Sequence, residues 1–137
     1  MVIDDKNLIE RLINSFTKQY SWYKDLGAIG QKILSRLVLT RGDITGIMPF
    51  FEKKKTILKD IDDERIMMSD NIQLWQQRKA LIGDNPEVKK LTAVFENMEK
   101  AIKDFLDAED QLRRYLEKEM KKGSGQTVSS NVEEKAT

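Results

Sequence analysis

Apolar residues recur along this chain at alternating steps of three and four, the spacing of a helix that lays one stripe against helical neighbours. The pattern is cleanest near the carboxy-terminal end, where it runs Val88, Leu91, Phe95, Met98, Ile102, Phe105, Glu109, Leu112 and Leu116. Glu109 is the interior fault of this stripe, and Val94, Ala101, Ala108 and Tyr115 widen it by one position. A middle stretch holds the same phase through Ile44, Ile47, Phe51, Lys54, Leu58, Ile61, Arg65, Met68, Ile72, Trp75, Lys79 and Ile82. Phase sustained that far favours one long helix, although Pro49 should kink its start and Ser69-Asp70-Asn71 could cap a fresh helix. The first stretch reads Ile9, Leu12, Phe16, Gln19, Tyr23, Leu26, Gly30, Ile33 and Leu37, broadened by Ile13, Tyr20 and Leu34. Gly27 and Gly30 are its weak points. Each glycine lowers helix propensity by about 1 kcal/mol against alanine, so the pair marks either close backbone contact or a bend.

Turn residues punctuate the stripes. In Thr40-Arg41-Gly42-Asp43 a glycine can take the left-handed conformation that closes a helix, and an aspartate can cap the next one. In Gly83-Asp84-Asn85-Pro86-Glu87 a glycine follows an apolar run, asparagine is a cap, and proline takes the first helical position. Gly123-Ser124-Gly125 opens a polar stretch to Thr137 with too few apolar residues to bury. The spacing therefore predicts helices over about 4–41, 44–82 and 86–122, followed by a flexible, disordered tail over 123–137. Each rod would be on the order of 55 Å long at 1.5 Å per residue. Turns this short force antiparallel neighbours, so the expected fold is all-α, an elongated antiparallel up-down-up bundle of three long helices.

Composition narrows the functional classes. At 137 residues, one core is expected for residues 4–122. The 24 basic and 23 acidic residues are interleaved, so no large positive field collects phosphates and nucleic acid is not an expected partner. There is no cysteine and no histidine, which removes thiolate chemistry and the usual general base and metal ligand near neutral pH. Asp60, Asp62, Asp63 and Glu64 form the densest acidic cluster, but a carboxylate run on a helix lacks the turning loop that wraps oxygens around a cation. A solvated face is expected there, as it is for Lys53-Lys54-Lys55, whose side chains diverge around a helix. Catalytic residues, a metal and a cofactor are all expected to be absent. The start, Met1-Val2-Ile3-Asp4-Asp5-Lys6, lacks the basic-then-apolar order of a secretory signal, and no window approaches the roughly 18 apolar residues of a membrane span. A cytoplasmic protein not integral to a membrane is expected.

Several residues invite a closer look. Phe51 and Trp75 lie on the stripe and are expected in the core, whereas Phe50 and Trp22 lie off it and are candidates for partner contact. A lone buried carboxylate costs several kcal/mol, so the bundle should either loosen around Glu109 or pair it.

The segment Leu8 to Arg65, above all Gly42-Asp43-Ile44-Thr45-Gly46-Ile47-Met48-Pro49-Phe50-Phe51-Glu52-Lys53-Lys54-Lys55-Thr56-Ile57-Leu58, resembles flagellar export chaperones of the FlgN type. Where that family often carries an asparagine-rich signature late in its last long helix, this chain reads Ala108-Glu109-Asp110-Gln111, which leaves the client unresolved. The resemblance implies a cytoplasmic helical chaperone that holds the disordered carboxy-terminal segment of hook-filament junction proteins and delivers them to the type III export apparatus. It places client binding on the last helix, around Phe105, Leu106, Glu109, Leu112, Tyr115, Leu116 and Met120. A charge placed at Leu112 or Leu116 should then abolish client binding and spare helical content. The alternative is a bundle that assembles with itself, as a homodimer or larger array, through Met67, Leu74 and Leu81.

Overall fold

The computed structural model describes residues 3–128, with side chains described as far as Lys121. Helix α1 spans Asp5–Thr40, a single 3-10 turn spans Thr45–Ile47, helix α2 spans Met48–Ile82 and helix α3 spans Pro86–Val128. There is no strand among the described residues. The molecule is a three-helix bundle of up-down-up order. Arg78, near the end of α2, donates to the Ile3 carbonyl (2.6 Å) and to the Asp5 carboxylate (3.2 Å) at the start of α1. Tyr115, near the end of α3, donates to the Leu37 carbonyl (3.0 Å) near the end of α1. Helices α1 and α3 are therefore parallel, with α2 antiparallel to both.

The ends follow local chemistry. Asp4 accepts from the Asn7 N–H (2.8 Å) and Asn85 from the Val88 N–H (2.9 Å), each satisfying an amide that the first helical turn leaves without a partner. At the first turn Arg41 itself takes the left-handed conformation (φ 56°, ψ 44°), and Gly42 (φ 92°) sends its N–H back to the Leu37 carbonyl at 2.9 Å. Asp43, just ahead of the 3-10 turn, accepts from the Thr45 N–H (3.0 Å), and this bond holds its carboxyl below the ordinary carboxylate range.

Two details depart from the spacing, and a third, the unbroken α2, is as its sustained phase favours. Helix α2 starts at Met48, and Pro49 sits in its first turn, where the missing N–H has no intrahelical partner to lose, so the proline starts the helix instead of kinking it. The helix runs unbroken through Ser69-Asp70-Asn71. Helix α3 continues past the expected stop at 122, through Gly123-Ser124-Gly125 to Val128, because glycine weakens a helix but, unlike proline, removes no hydrogen bond from it. The rest of the expected tail, 129–137, lies outside the described residues.

Helix α1 is the hub. Leu8, Leu12, Leu26, Ile33 and Leu37 are fully buried along it, and both other helices pack against its length. No comparable packed seam joins α2 to α3. Helix α3 buries Leu91, Met98, Ala101, Phe105, Ala108 and Leu112, while α2 buries only Ile57, Ile61, Glu64 and Met68. The two glycines of α1 serve different ends. A Cβ at Gly30 would stand 3.3 Å from the Ala108 Cβ, whereas one at Gly27 would meet nothing within 4 Å. Gly30 thus permits close approach of α1 and α3, and Gly27 only weakens its helix. Gly27→Ala is expected to stabilise the protein by about 0.5–1 kcal/mol, and Gly30→Leu to destabilise it by about 2 kcal/mol through overpacking. Thermal melts of the two variants check both signs; a Gly27→Ala protein that melts lower would refute the propensity argument.

Candidate functional site: an apolar groove between α2 and α3

Because α2 and α3 both lean on α1 without packing on each other, the space between them is a groove with α1 as its floor. The floor is Leu12, Phe16, Gln19 and Tyr23, one face of α1. Ile72, Trp75, Gln76 and Ala80 form the α2 wall, and Val88, Leu91, Phe95, Met98 and Ile102 form the α3 wall. The volume is about 940 Å³. Charge is sparse and separated: Arg65 and Lys79 stand on the α2 side, Glu99 on the α3 side.

The groove is open because α2 runs short of apolar side chains to fill it. Beyond Met68 no residue of α2 is buried; Ile72, Leu74, Trp75 and Ile82 are half-buried. On α3 the stripe divides. Leu91, Met98, Phe105 and Leu112 are buried, Leu91 and Met98 with one side on the groove, while Val88, Phe95 and Ile102 line the groove and stay partly exposed. Phe95 is tilted against Phe16 with ring centroids 5.3 Å apart, which joins wall to floor.

Toward the α1–α2 turn, an ion pair bridges α2 and α3. Lys54, 12% exposed, donates to Glu109, 31% exposed, at 2.5 Å. Both residues interrupt their helical stripes, so the two faults complete each other. The Lys54 ammonium also lies 5.7 Å from the centre of the Phe51 ring.

One polar group is set into the apolar floor. Gln19 is 3% exposed, and its amide nitrogen donates to the Ser15 hydroxyl at 3.1 Å. The amide oxygen has no hydrogen bond among the described residues. The one acid buried among the described residues, Glu64, expected on a solvated face, is answered by Lys18 at 3.2 Å, leaving Asp60, Asp62 and Asp63 on the exposed face. No group of three or more acidic, histidine or cysteine residues among those described could hold a metal ion.

The residues expected to bind a client do not share one surface. Phe105 and Leu112 are buried, Phe105 with its ring 6.0 Å from that of Tyr23. Tyr115 is half-buried and bonded to α1, Leu116 is half-buried, Leu106 and Met120 are exposed, and Glu109 is held by Lys54. Phe50 and Trp22 are half-buried against the core, Phe50 with the Arg36 guanidinium 5.4 Å from its ring. Phe51 and Trp75, expected in the core, are also half-buried, Trp75 because it lines the open groove. The groove's signal lay in Arg65 and Lys79, charged residues on the α2 stripe, which mark stripe that no neighbour covers.

No family model, curated protein or solved structure matches this chain. Among the described residues no helix is long and apolar enough to cross a membrane. Fold and site together define a three-helix bundle with an unfilled apolar groove.

Proposed function

We propose that this protein is a non-catalytic chaperone that holds a disordered segment of a client protein as an amphipathic helix in the groove between α2 and α3. The observation that carries this reading is the groove itself, about 940 Å³ and walled by Ile72, Trp75, Phe95 and Ile102. From Val88 to Ile102 its α3 wall spans about 20 Å at 1.5 Å per residue, enough for roughly four turns of a docked helix. A disordered segment that folds on docking buries its apolar face there and stays releasable, because ordering the segment offsets part of the gain. The resemblance over Leu8 to Arg65 supports a cytoplasmic export chaperone of the FlgN type, with hook-filament junction proteins as clients and the export apparatus as recipient.

Light scattering on the purified protein, alone and mixed with the carboxy-terminal segment of a hook-filament junction protein, tests this. A monomer that gains the mass of one client segment, with a shift in Trp75 emission, is the expected result. Unchanged mass and emission would remove the chaperone reading. A self-assembling scaffold is the second reading, favoured by the outer face of α2, where Met67 is exposed and Leu81 is 89% exposed. It requires the free protein to be oligomeric already.

A further inference from the structure

A groove that accepted any apolar helix would have no need of a polar group in its floor. Gln19 is buried among Leu12, Phe16 and Tyr23, with its amide nitrogen bonded to Ser15 and its amide oxygen without a hydrogen bond to any described residue. A buried amide with an unmet end is destabilising, whereas the same amide meeting a partner is favourable and directional. Polar residues at single seam positions of helical assemblies set register and reject apolar competitors.

We infer that Gln19 is the residue by which the groove selects its client. The occupant is an amphipathic helix of another protein that carries a side-chain amide or hydroxyl at its central seam position, opposite Gln19. The rims specify the flanks: acidic residues on the occupant face Arg65 and Lys79, and basic residues face Glu99. This inference rests on the groove being the docking site, and it adds what the groove reads.

The test uses the full chain and a designed amphipathic peptide of about three heptads, with Leu and Ile on its seam and the rim charges above. Two versions are made, with Asn or Leu at the central seam position. Binding is followed by Trp75 emission in a Trp22→Phe background. The wild-type protein is expected to bind the Asn version about tenfold more tightly than the Leu version, and Gln19→Met, which keeps the volume, to reverse that preference. Gln19→Leu serves as the second variant. The free Gln19→Met protein is also expected to melt about 3 °C higher, because the unmet amide end is gone and Ser15 can bond a carbonyl one turn back.

Binding of both versions with no preference, or a preference that survives Gln19→Met, overturns the selection role and leaves the groove as docking site intact. Binding of neither version overturns both. Concentration-dependent mass of the free protein that Trp75→Glu abolishes would place a second copy in the groove and overturn the inference as well.

Discussion

A Trp75→Glu variant is expected to stay folded, melting less than about 8 °C below the parent protein, and to bind the client segment at least about a hundredfold more weakly. Both halves follow from where α2 stops contributing to the core. Past Met68 no residue of this helix is fully buried, and Trp75 is half-buried at the edge of the core. Its indole forms the α2 wall of the groove, facing the α3 wall of Phe95 and Ile102. A docked helix would bury that surface, and a carboxylate there would have to be desolvated without a partner. Leu112 behaves oppositely. The resemblance led to the expectation that a charge at Leu112 spares the fold, but Leu112 is 4% exposed in the α1–α3 interface, so Leu112→Glu should unfold the protein. Circular-dichroism melts and peptide titration on the two variants separate groove from core; a Trp75→Glu protein that keeps its affinity would refute the site.

Lys54→Met is expected to lower stability by about 2 kcal/mol, while the double variant Lys54→Met/Glu109→Leu regains or exceeds the parent value. The single change leaves Glu109 half-buried with its cation removed. Its partial exposure lets water reach the carboxylate, which places the loss below that of a fully buried pair. Replacing both residues fills the fault at 54 in the α2 stripe and the fault at 109 in the α3 stripe, so α2 and α3 should pack more closely at this end. That closer packing makes a second readout available. If the pair also sets the width of the groove, the double variant should be more stable yet bind the client segment less well. Urea unfolding of the four proteins of the cycle measures the coupling, and strictly additive effects would dismiss the ion pair as a structural bridge.

The three-rod organisation was legible because it depends on neighbours in sequence. The stripes, the Asn85 cap with Pro86, and the glycine stops at Gly42 and Gly83 are all short-range chemistry. Glu109 was legible as a problem, since a carboxylate on an apolar stripe must be paired or wet. Its partner was not, because Lys54 lies 55 residues earlier and the choice between pairing and fraying depends on where α2 comes to rest. The same holds for Gly30 and Gly27, alike in sequence and separated only by the position of Ala108. The client surface was placed by resemblance on the last helix, but there Phe105, Leu112 and Tyr115 are engaged by α1.

Sequence alone determined that this chain forms three long helices in up-down-up order, because apolar period, caps and turn residues are local and each helix must hide its stripe. Tertiary structure decided that α1 is the hub and that the α2–α3 side stays open. A stripe states how much apolar surface a helix must cover but not which neighbour covers it. That choice is made by the relative width of the three stripes: the broad one on α1 satisfies two partners, and the thin one on α2 leaves Trp75, Phe95 and Gln19 lining a groove.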